Sequence, residues 1–214
     1  MPLNRIYEIV VLISFLYSMY LWIRKRKSKQ QFYFFLYLLL VIGVDIIPVN
    51  FPYLLKFDRN ILFAGYIVLS ILYFGILYLL KVENKIFRIF NVFVITVLVL
   101  LNIYKFNNEQ VEQLNFIPII SLPVLFIFNS VFWYLYKLKK VDESRITDDF
   151  LFWISSGLLI WSVFFIFRAI PMYFLQENDP RLLNFVISAF TIVNIVTYFL
   201  FLLGLILMKD ERTS

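Results

Sequence analysis

The chain has 214 residues, of which 62% are hydrophobic, 21% aromatic and only 16% charged. Soluble domains are about 45–50% apolar and about 25% charged, so this chain has too little polar surface to fold in water and needs lipid. It has no cysteine and no histidine, which excludes disulfides, most transition-metal sites and Ser-His or Cys-His catalysis. No cofactor motif or metal site is evident, and the net charge of +6 is attributed to loops that orient membrane helices rather than to nucleic-acid binding.

Seven hydrophobic segments follow one another along the chain, and each is close to the roughly 20 residues that an α-helix needs to cross a bilayer. They cover approximately residues 6–23, 32–50, 61–80, 86–104, 116–136, 150–170 and 183–208. The sequence therefore predicts an all-α integral membrane protein, a bundle of seven transmembrane helices that forms a single polytopic domain over residues 1–214. No soluble domain is expected.

Loops rich in basic residues alternate along the chain with loops that contain few. Fourteen of the 20 Lys and Arg residues lie on one side of the predicted membrane, beginning with the run "RKRKSK" at 24–29, and six lie on the other. Cytoplasmic loops carry the excess of basic residues, so the pattern predicts an extracytoplasmic N-terminus and a cytoplasmic C-terminus, which requires an odd number of helices. We expect a multi-pass protein of the cytoplasmic (inner) membrane.

Polar side chains recur at helical spacing within several segments, and polar groups prefer the interior of a membrane bundle. The predicted inward stripes are Tyr7, Ser14 and Ser18 on the first segment; Tyr37, Val41, Asp45 and Pro48 on the second; Tyr66, Ser70 and Tyr73 on the third; Trp153, Gly157, Trp161, Phe164 and Arg168 on the sixth; and Asn184, Ser188, Thr191, Asn194 and Tyr198 on the seventh. Each stripe alone is explained by helix packing. Together they favour a polar pocket.

The predicted orientation places most of these polar residues in the outer half of the membrane. The residues predicted to bind a ligand there are Asp45, Arg168, Trp161, Ser188, Thr191, Asn194, Tyr66 and Glu8. A carboxylate inside a helix costs about 2.5–3.5 kcal/mol on insertion scales, so Asp45 is expected either to pair with Arg168 or to contact a ligand. Arg168 lies close enough to a helix end to reach the headgroups instead.

Three stretches carry a resemblance to a known group of proteins. "FFLYLLLVIGVDIIP", "DDFLFWISSGLLIWSVFFIF" and "LLNFVISAFTIVNIVTYFLFL", the last with Asn184 and Asn194, resemble the second, sixth and seventh helices of small seven-helix proteins of Bacteroidota. That group resembles, or accompanies, the membrane modules of sensor histidine kinases. The resemblance implies a sensory module whose output a partner supplies. The acid of the group is often Glu, whereas this chain has Asp45.

Four functions are compatible with these features. The first is a receptor-like sensor that binds a small or lipidic ligand in the outer-half pocket and acts through a histidine kinase or another cytoplasmic partner. The second is a secondary transporter in which Asp45 couples ions or binds substrate. The third is an intramembrane lipid-modifying enzyme with Asp45 and Glu8 as acid and base, which ranks lower because His and Cys are absent. The fourth is a structural subunit.

We predict no catalytic residue and no cofactor. The expected partners are the membrane lipids around the helices and, for a sensor, the cytoplasmic signalling protein.

Overall fold

The computed structural model describes residues 2–24, 31–51, 53, 59–108, 116–140, 145–169, 175 and 178–208. Within these residues the regular elements are helices, and no strand occurs. They are α1 (Pro2–Ile23), α2 (Phe34–Val41), a π-helical segment (Ile42–Ile46), α3 (Ile47–Asn50), α4 (Arg59–Lys81), α5 (Lys85–Asn108), α6 (Phe116–Lys139), a 3₁₀ turn (Ile146–Asp148), α7 (Phe150–Ala169) and α8 (Pro180–Leu207).

Six of these helices are long and apolar enough to cross a membrane, and they match six of the seven predicted segments. They are α1, α4, α5, α6, α7 and α8. The protein is therefore an all-helical, multi-pass membrane protein. The remaining predicted segment, 32–50, corresponds to the helical stretch Phe34–Asn50, which is apolar but shorter than the other six.

The stretch Phe34–Asn50 is interrupted near Pro48 by five π-helical residues. Proline has no N–H, and its ring clashes with the carbonyl four residues earlier, here that of Val44. The backbone adapts by a wider turn, in which the N–H of Ile47 bonds to the carbonyl of Ile42. The Asn50 side chain then donates to the carbonyl of Ile46 at 3.0 Å. The insertion adds one residue to the helical repeat.

This added residue changes which side chains are buried. Tyr37 and Val41 are buried, at 4% and 0% exposure, and the next buried position is Ile46 at 8%. Asp45 is exposed. A regular α-helix would have placed Asp45 below Val41, whereas the π turn puts Ile46 there. The prediction that Asp45 continues the inward stripe of Tyr37 and Val41 is therefore wrong.

The chain packs as two compact units, Met1–Phe35 with Asp142–Ser214 (unit 1) and Leu36–Val141 (unit 2). The single domain expected over residues 1–214 stays a prediction. In unit 1, α8 packs against both α7 and α1. The ring of Phe201 on α8 meets those of Phe34 and Tyr198, each at 5.4 Å between centroids. α8 is thus the central helix of unit 1.

Glycines bring α7 and α8 close together. A Cβ added to Gly204 would lie 2.9 Å from the Cβ of Trp153 and 3.2 Å from the ring of Phe150. The same addition at Gly157 would lie 2.8 Å from the ring of Phe201. Small residues allow the close backbone approach on which helix association in lipid depends, because lipid tails are as apolar as the helices themselves.

Unit 2 is built from α4, α5 and α6, which pack pairwise, together with residues 36–50. Its centre is aromatic: the ring of Phe74 on α4 lies 4.7 Å from that of Tyr37 and 4.8 Å from that of Phe126. Near one end, the Phe87 ring of α5 stacks on Phe132 of α6 at 4.4 Å. These contacts join α4 to residue Tyr37 and to α6, and α5 to α6.

The close approach of α7 and α8 generates a prediction about Gly204. Substitution of Gly204 by Ala should lower the free energy of unfolding by about 1–3 kcal/mol, because the new methyl group overpacks against the Cβ of Trp153. Thermal unfolding in detergent measures the loss. Gly65→Ala on α4 is the matched control, since nothing lies within 4 Å of the added Cβ. Equal behaviour of the two variants would contradict the tight α7–α8 contact.

Candidate functional site

The eight predicted ligand-binding residues divide between the two units. Asp45 and Tyr66 belong to unit 2, whereas Glu8, Trp161, Arg168, Ser188, Thr191 and Asn194 belong to unit 1. The predicted ion pair between Asp45 and Arg168 joins residues of different units and stays a prediction. Each unit has its own arrangement of polar side chains.

In unit 1, a hydrogen bond joins α7 to α8. Trp161 Nε1 donates to Asn194 Oδ1 at 2.9 Å. Both residues were predicted to face the interior, and both side chains are half-buried. The bond satisfies the indole N–H, for which hydrocarbon offers no acceptor. It also holds the Trp161 ring in one orientation.

Further aromatic rings extend from Trp161 toward the end of α7. Phe165, one turn after Trp161, stacks on it at 4.6 Å between centroids, and Phe190 of α8 lies 5.7 Å from Phe165. The guanidinium carbon of Arg168 lies 4.8 Å from the centroid of Phe190. Trp161, Phe165, Arg168, Phe190 and Asn194 form what we call the Arg168 cluster. The spacing of 161, 165 and 168 puts all three α7 residues on one helix face.

The contact with Phe190 occupies the face of the Arg168 guanidinium and leaves its edge available. The guanidinium edge carries five N–H donors in a planar fork that matches a carboxylate or a phosphate. In the part of the chain that the structure describes, Arg168 makes this cation–π contact and neither a hydrogen bond nor an ion pair. A half-buried cation among aromatic rings, near the end of a membrane helix, is thus positioned to receive an anion.

Two predicted site residues of α8 bond to their own helix. The hydroxyl of Ser188 donates to the carbonyl of Asn184 at 2.8 Å, and that of Thr191 donates to the carbonyl of Ile187 at 3.1 Å. Ser188 is exposed and Thr191 half-buried. Their hydroxyl protons are thereby used locally, and the described contacts do not connect them to the Arg168 cluster.

Glu8 also has a local partner. Arg5 Nη1 lies 3.0 Å from Glu8 Oε2, one turn apart at the beginning of α1. This pair explains how a carboxylate is tolerated so close to the apolar part of α1. No described contact links Glu8 to the Arg168 cluster.

In unit 2, Asp45 and Tyr66 form a second polar arrangement. The hydroxyl groups of Tyr66 and Tyr37 lie 3.5 Å apart, and the carboxylate of Asp45 interacts electrostatically with Tyr66. The two predicted residues are therefore brought near each other, with Asp45 at the exposed edge. The α-helical spacing used to predict the stripe could not anticipate the π turn that moves Asp45 to this edge.

Unit 2 also buries polar groups to which the sequence assigned no role. Asn129 is completely buried, and neither Nδ2 nor Oδ1 has a hydrogen-bond partner among the described residues. Asn91, also completely buried, donates to the carbonyl of Gly75 at 3.3 Å and leaves its Oδ1 without a partner. The sequence feature that could have indicated these buried groups is a single Asn within an apolar run. Their burial depends on packing and could not be read from the sequence.

The comparisons with known proteins add no relative. No family model matches the chain, and no curated protein and no solved structure is significantly similar to it. The resemblance to the seven-helix proteins of Bacteroidota stays a prediction. The fold defines the class, a multi-pass helical membrane protein, and unit 1 carries the cationic and aromatic Arg168 cluster.

The unpartnered amide of Asn129 generates a second prediction. Asn129→Leu should raise the midpoint of thermal unfolding in detergent, because an unsatisfied buried polar group costs about 1–3 kcal/mol and Leu has a similar shape. The control is Asn102→Leu, since Asn102 Nδ2 donates to Ser121 Oγ at 3.1 Å and its loss should destabilise. Destabilisation by Asn129→Leu would show that the amide has a bound partner.

Proposed function

We propose that the protein is a receptor-like membrane protein whose Arg168 cluster binds a small or lipidic ligand with an acidic group. The observation that carries this proposal is the guanidinium of Arg168, which rests on the Phe190 ring at 4.8 Å and has no carboxylate partner among the described residues. Placing an ionisable group within a membrane helix costs free energy. Such groups therefore usually contact a ligand, line an ion path or pair with an opposite charge.

The surroundings of Arg168 favour an amphiphilic ligand. Trp161, Phe165 and Phe190 form a continuous aromatic wall from Asn194 to the guanidinium. Phe167, next to Arg168 in sequence, is 71% exposed, so apolar surface continues beyond the cluster. An acidic headgroup at the guanidinium with an apolar chain along these rings would satisfy both kinds of surface.

The proposed topology places the Arg168 cluster in the outer half of the inner membrane. The support is the distribution of basic residues, which assigns the N-terminus to the outside and the C-terminus to the cytoplasm. In this orientation α7 runs outward and Arg168 lies near its outer end. A ligand arriving from outside the cell, or from the outer leaflet, would meet the cluster directly.

Transmission of a signal follows from the packing of α8. This helix contacts the ligand-binding residues through Phe190 and Asn194, and it continues to Gly204, where it packs closely on α7. A ligand that favours one packing of α7 on α8 would shift the position of the cytoplasmic end of α8. We propose that a histidine kinase or another cytoplasmic partner reads this shift, as the resemblance to sensor modules implies.

Transport is the second candidate function, and a different observation supports it. Asn129 and Asn91 on unit 2 have buried amide atoms without a described hydrogen-bond partner. Such groups would suit a path for a polar solute. Uptake of solute into proteoliposomes would favour transport, whereas binding without uptake favours the receptor.

Substitution of Arg168 tests the proposed site. The probe is ¹³C-labelled laurate, added to purified protein in detergent. Its methyl ester, which has the same chain and no charge, is the control ligand. We expect saturable laurate binding that Arg168→Gln weakens at least tenfold, since a charge-assisted bidentate contact contributes about 1.5–3 kcal/mol. Titration followed by NMR line broadening measures the affinity.

The control for this experiment is Arg181→Gln, which removes an exposed cation from the beginning of α8 without touching the cluster. Its laurate affinity should equal that of the unchanged protein. Equal loss in both variants would indicate nonspecific attraction by charge. Equal binding of laurate and its methyl ester would contradict recognition of the acidic group.

The proposed topology gives a further prediction, made simple by the absence of cysteine in the chain. Single cysteines at Asn4 and Glu83, both exposed, should report opposite sides of the membrane. A membrane-impermeant maleimide should label Asn4→Cys and not Glu83→Cys in intact spheroplasts, and should label both after lysis. The reverse pattern would contradict the orientation.

A further inference from the structure

A groove lies at the end of unit 2 where α4 and α6 end and α5 begins. Its volume is about 400 Å³, within the range of small-molecule sites. The residues that line it are Asn84, Phe132, Leu135, Tyr136, Lys139 and Lys140. Five of the six belong to the last turns of α6 or follow it directly, and Asn84 comes from the connection before α5.

The polar groups that line this groove are mainly hydrogen-bond donors, and none is a carboxylate. Asn84 Oδ1 accepts from the backbone N–H of Phe87 at 3.0 Å, so this side chain presents its Nδ2 donor. Lys139 has neither an ion pair nor a hydrogen bond in the part of the chain that is described. Lys140 Nζ lies 3.9 Å from Glu83 Oε2, but both side chains are largely exposed, so the pair is weak.

The lining changes from apolar to cationic along α6. Phe132 and Leu135 come first, and Tyr136, Lys139 and Lys140 follow. Phe132 and Lys139 are seven residues apart, which corresponds to about 10 Å along an α-helix. An occupant must therefore be apolar on the side of the membrane core and anionic at the helix end. A phospholipid has this order of groups.

The surrounding charge has the same sign. Lys81, Lys85, Arg88 and Lys137 lie at this end of unit 2, with Glu83 as the acid among the described residues there. Basic clusters next to membrane helices attract anionic lipids, at about 1 kcal/mol for each Lys or Arg near the surface. The groove thus combines a shaped cavity with a local positive potential.

We infer that this groove binds the headgroup of an anionic phospholipid, with the phosphodiester at Lys139 and Asn84 and the beginning of an acyl chain against Phe132 and Leu135. Tyr136 provides a hydroxyl at the same level. The site lies in unit 2 and shares no residue with the Arg168 cluster. A failure of the lipid-binding inference would therefore leave the proposed function unaffected, and the reverse also holds.

Native mass spectrometry of the whole protein, released from detergent, tests this site. The probes are phosphatidylglycerol and phosphatidylcholine with identical acyl chains, and glycerol 3-phosphate as a headgroup without chains. We expect one phosphatidylglycerol to bind more tightly than phosphatidylcholine. Lys139→Gln should weaken it about fivefold, which is the equivalent of one surface cation.

The matched control is Lys85→Gln, which removes an exposed lysine at the beginning of α5 that does not line the groove. Because Lys85 contributes only to the surrounding positive potential, Lys85→Gln should weaken phosphatidylglycerol binding less than Lys139→Gln does, and Lys139→Arg should retain binding. An equal loss with Lys85→Gln would overturn the site in favour of diffuse charge. Full competition by glycerol 3-phosphate, or equal affinity for phosphatidylcholine, would also overturn it.

Discussion

Hydrocarbon offers no hydrogen-bond partner, and this constraint determines the backbone conformation of the described structure. Every backbone polar group inside a bilayer must be satisfied within the protein, which an α-helix achieves within a single segment. The regular elements are accordingly helical. Next to Pro48, which has no N–H, the N–H of Ile47 bonds to the carbonyl of Ile42 and the Asn50 side chain donates to the carbonyl of Ile46. The same constraint applies to side chains, and there it separates structural residues from candidate functional ones.

Most buried polar side chains of the described chain are satisfied by a near neighbour. Ser18 donates to Gln31 at 2.6 Å, and Tyr78 lies 3.3 Å from Ser130, so these groups join helices without implying a ligand. Arg168 differs because its described contact is an aromatic ring, and Asn129 and Ser162 differ because their buried side chains have no described hydrogen-bond partner. Arg168 belongs to unit 1 and Asn129 to unit 2.

The two proposed binding sites use the same chemistry, each at the C-terminal end of a helix. Arg168 lies near the end of α7, and Lys139 is the last residue of α6. Each cation is accompanied by aromatic or aliphatic side chains on the preceding turns of its own helix. Amphiphilic anions fit both places because a helix that leaves the membrane passes from apolar to polar surroundings within a few turns. Such sites allow a membrane protein to sense or select molecules dissolved in its own bilayer.

The sequence by itself determined the all-helical class of fold and the approximate bounds of the six helices that are long and apolar enough to cross a membrane, because hydrophobic length and helical period are local properties. It also predicted an inward stripe with Trp161 and Arg168 on one segment and an inward stripe with Asn194 on another. Only the tertiary structure decided that Trp161 bonds to Asn194, that Phe190 lies beneath Arg168, and that Ser188 and Thr191 bond locally. It also moved Asp45 out of its predicted stripe. The physical reason is that a π turn, a rotamer and a contact between helices depend on neighbours distant in sequence, which helical periodicity does not encode.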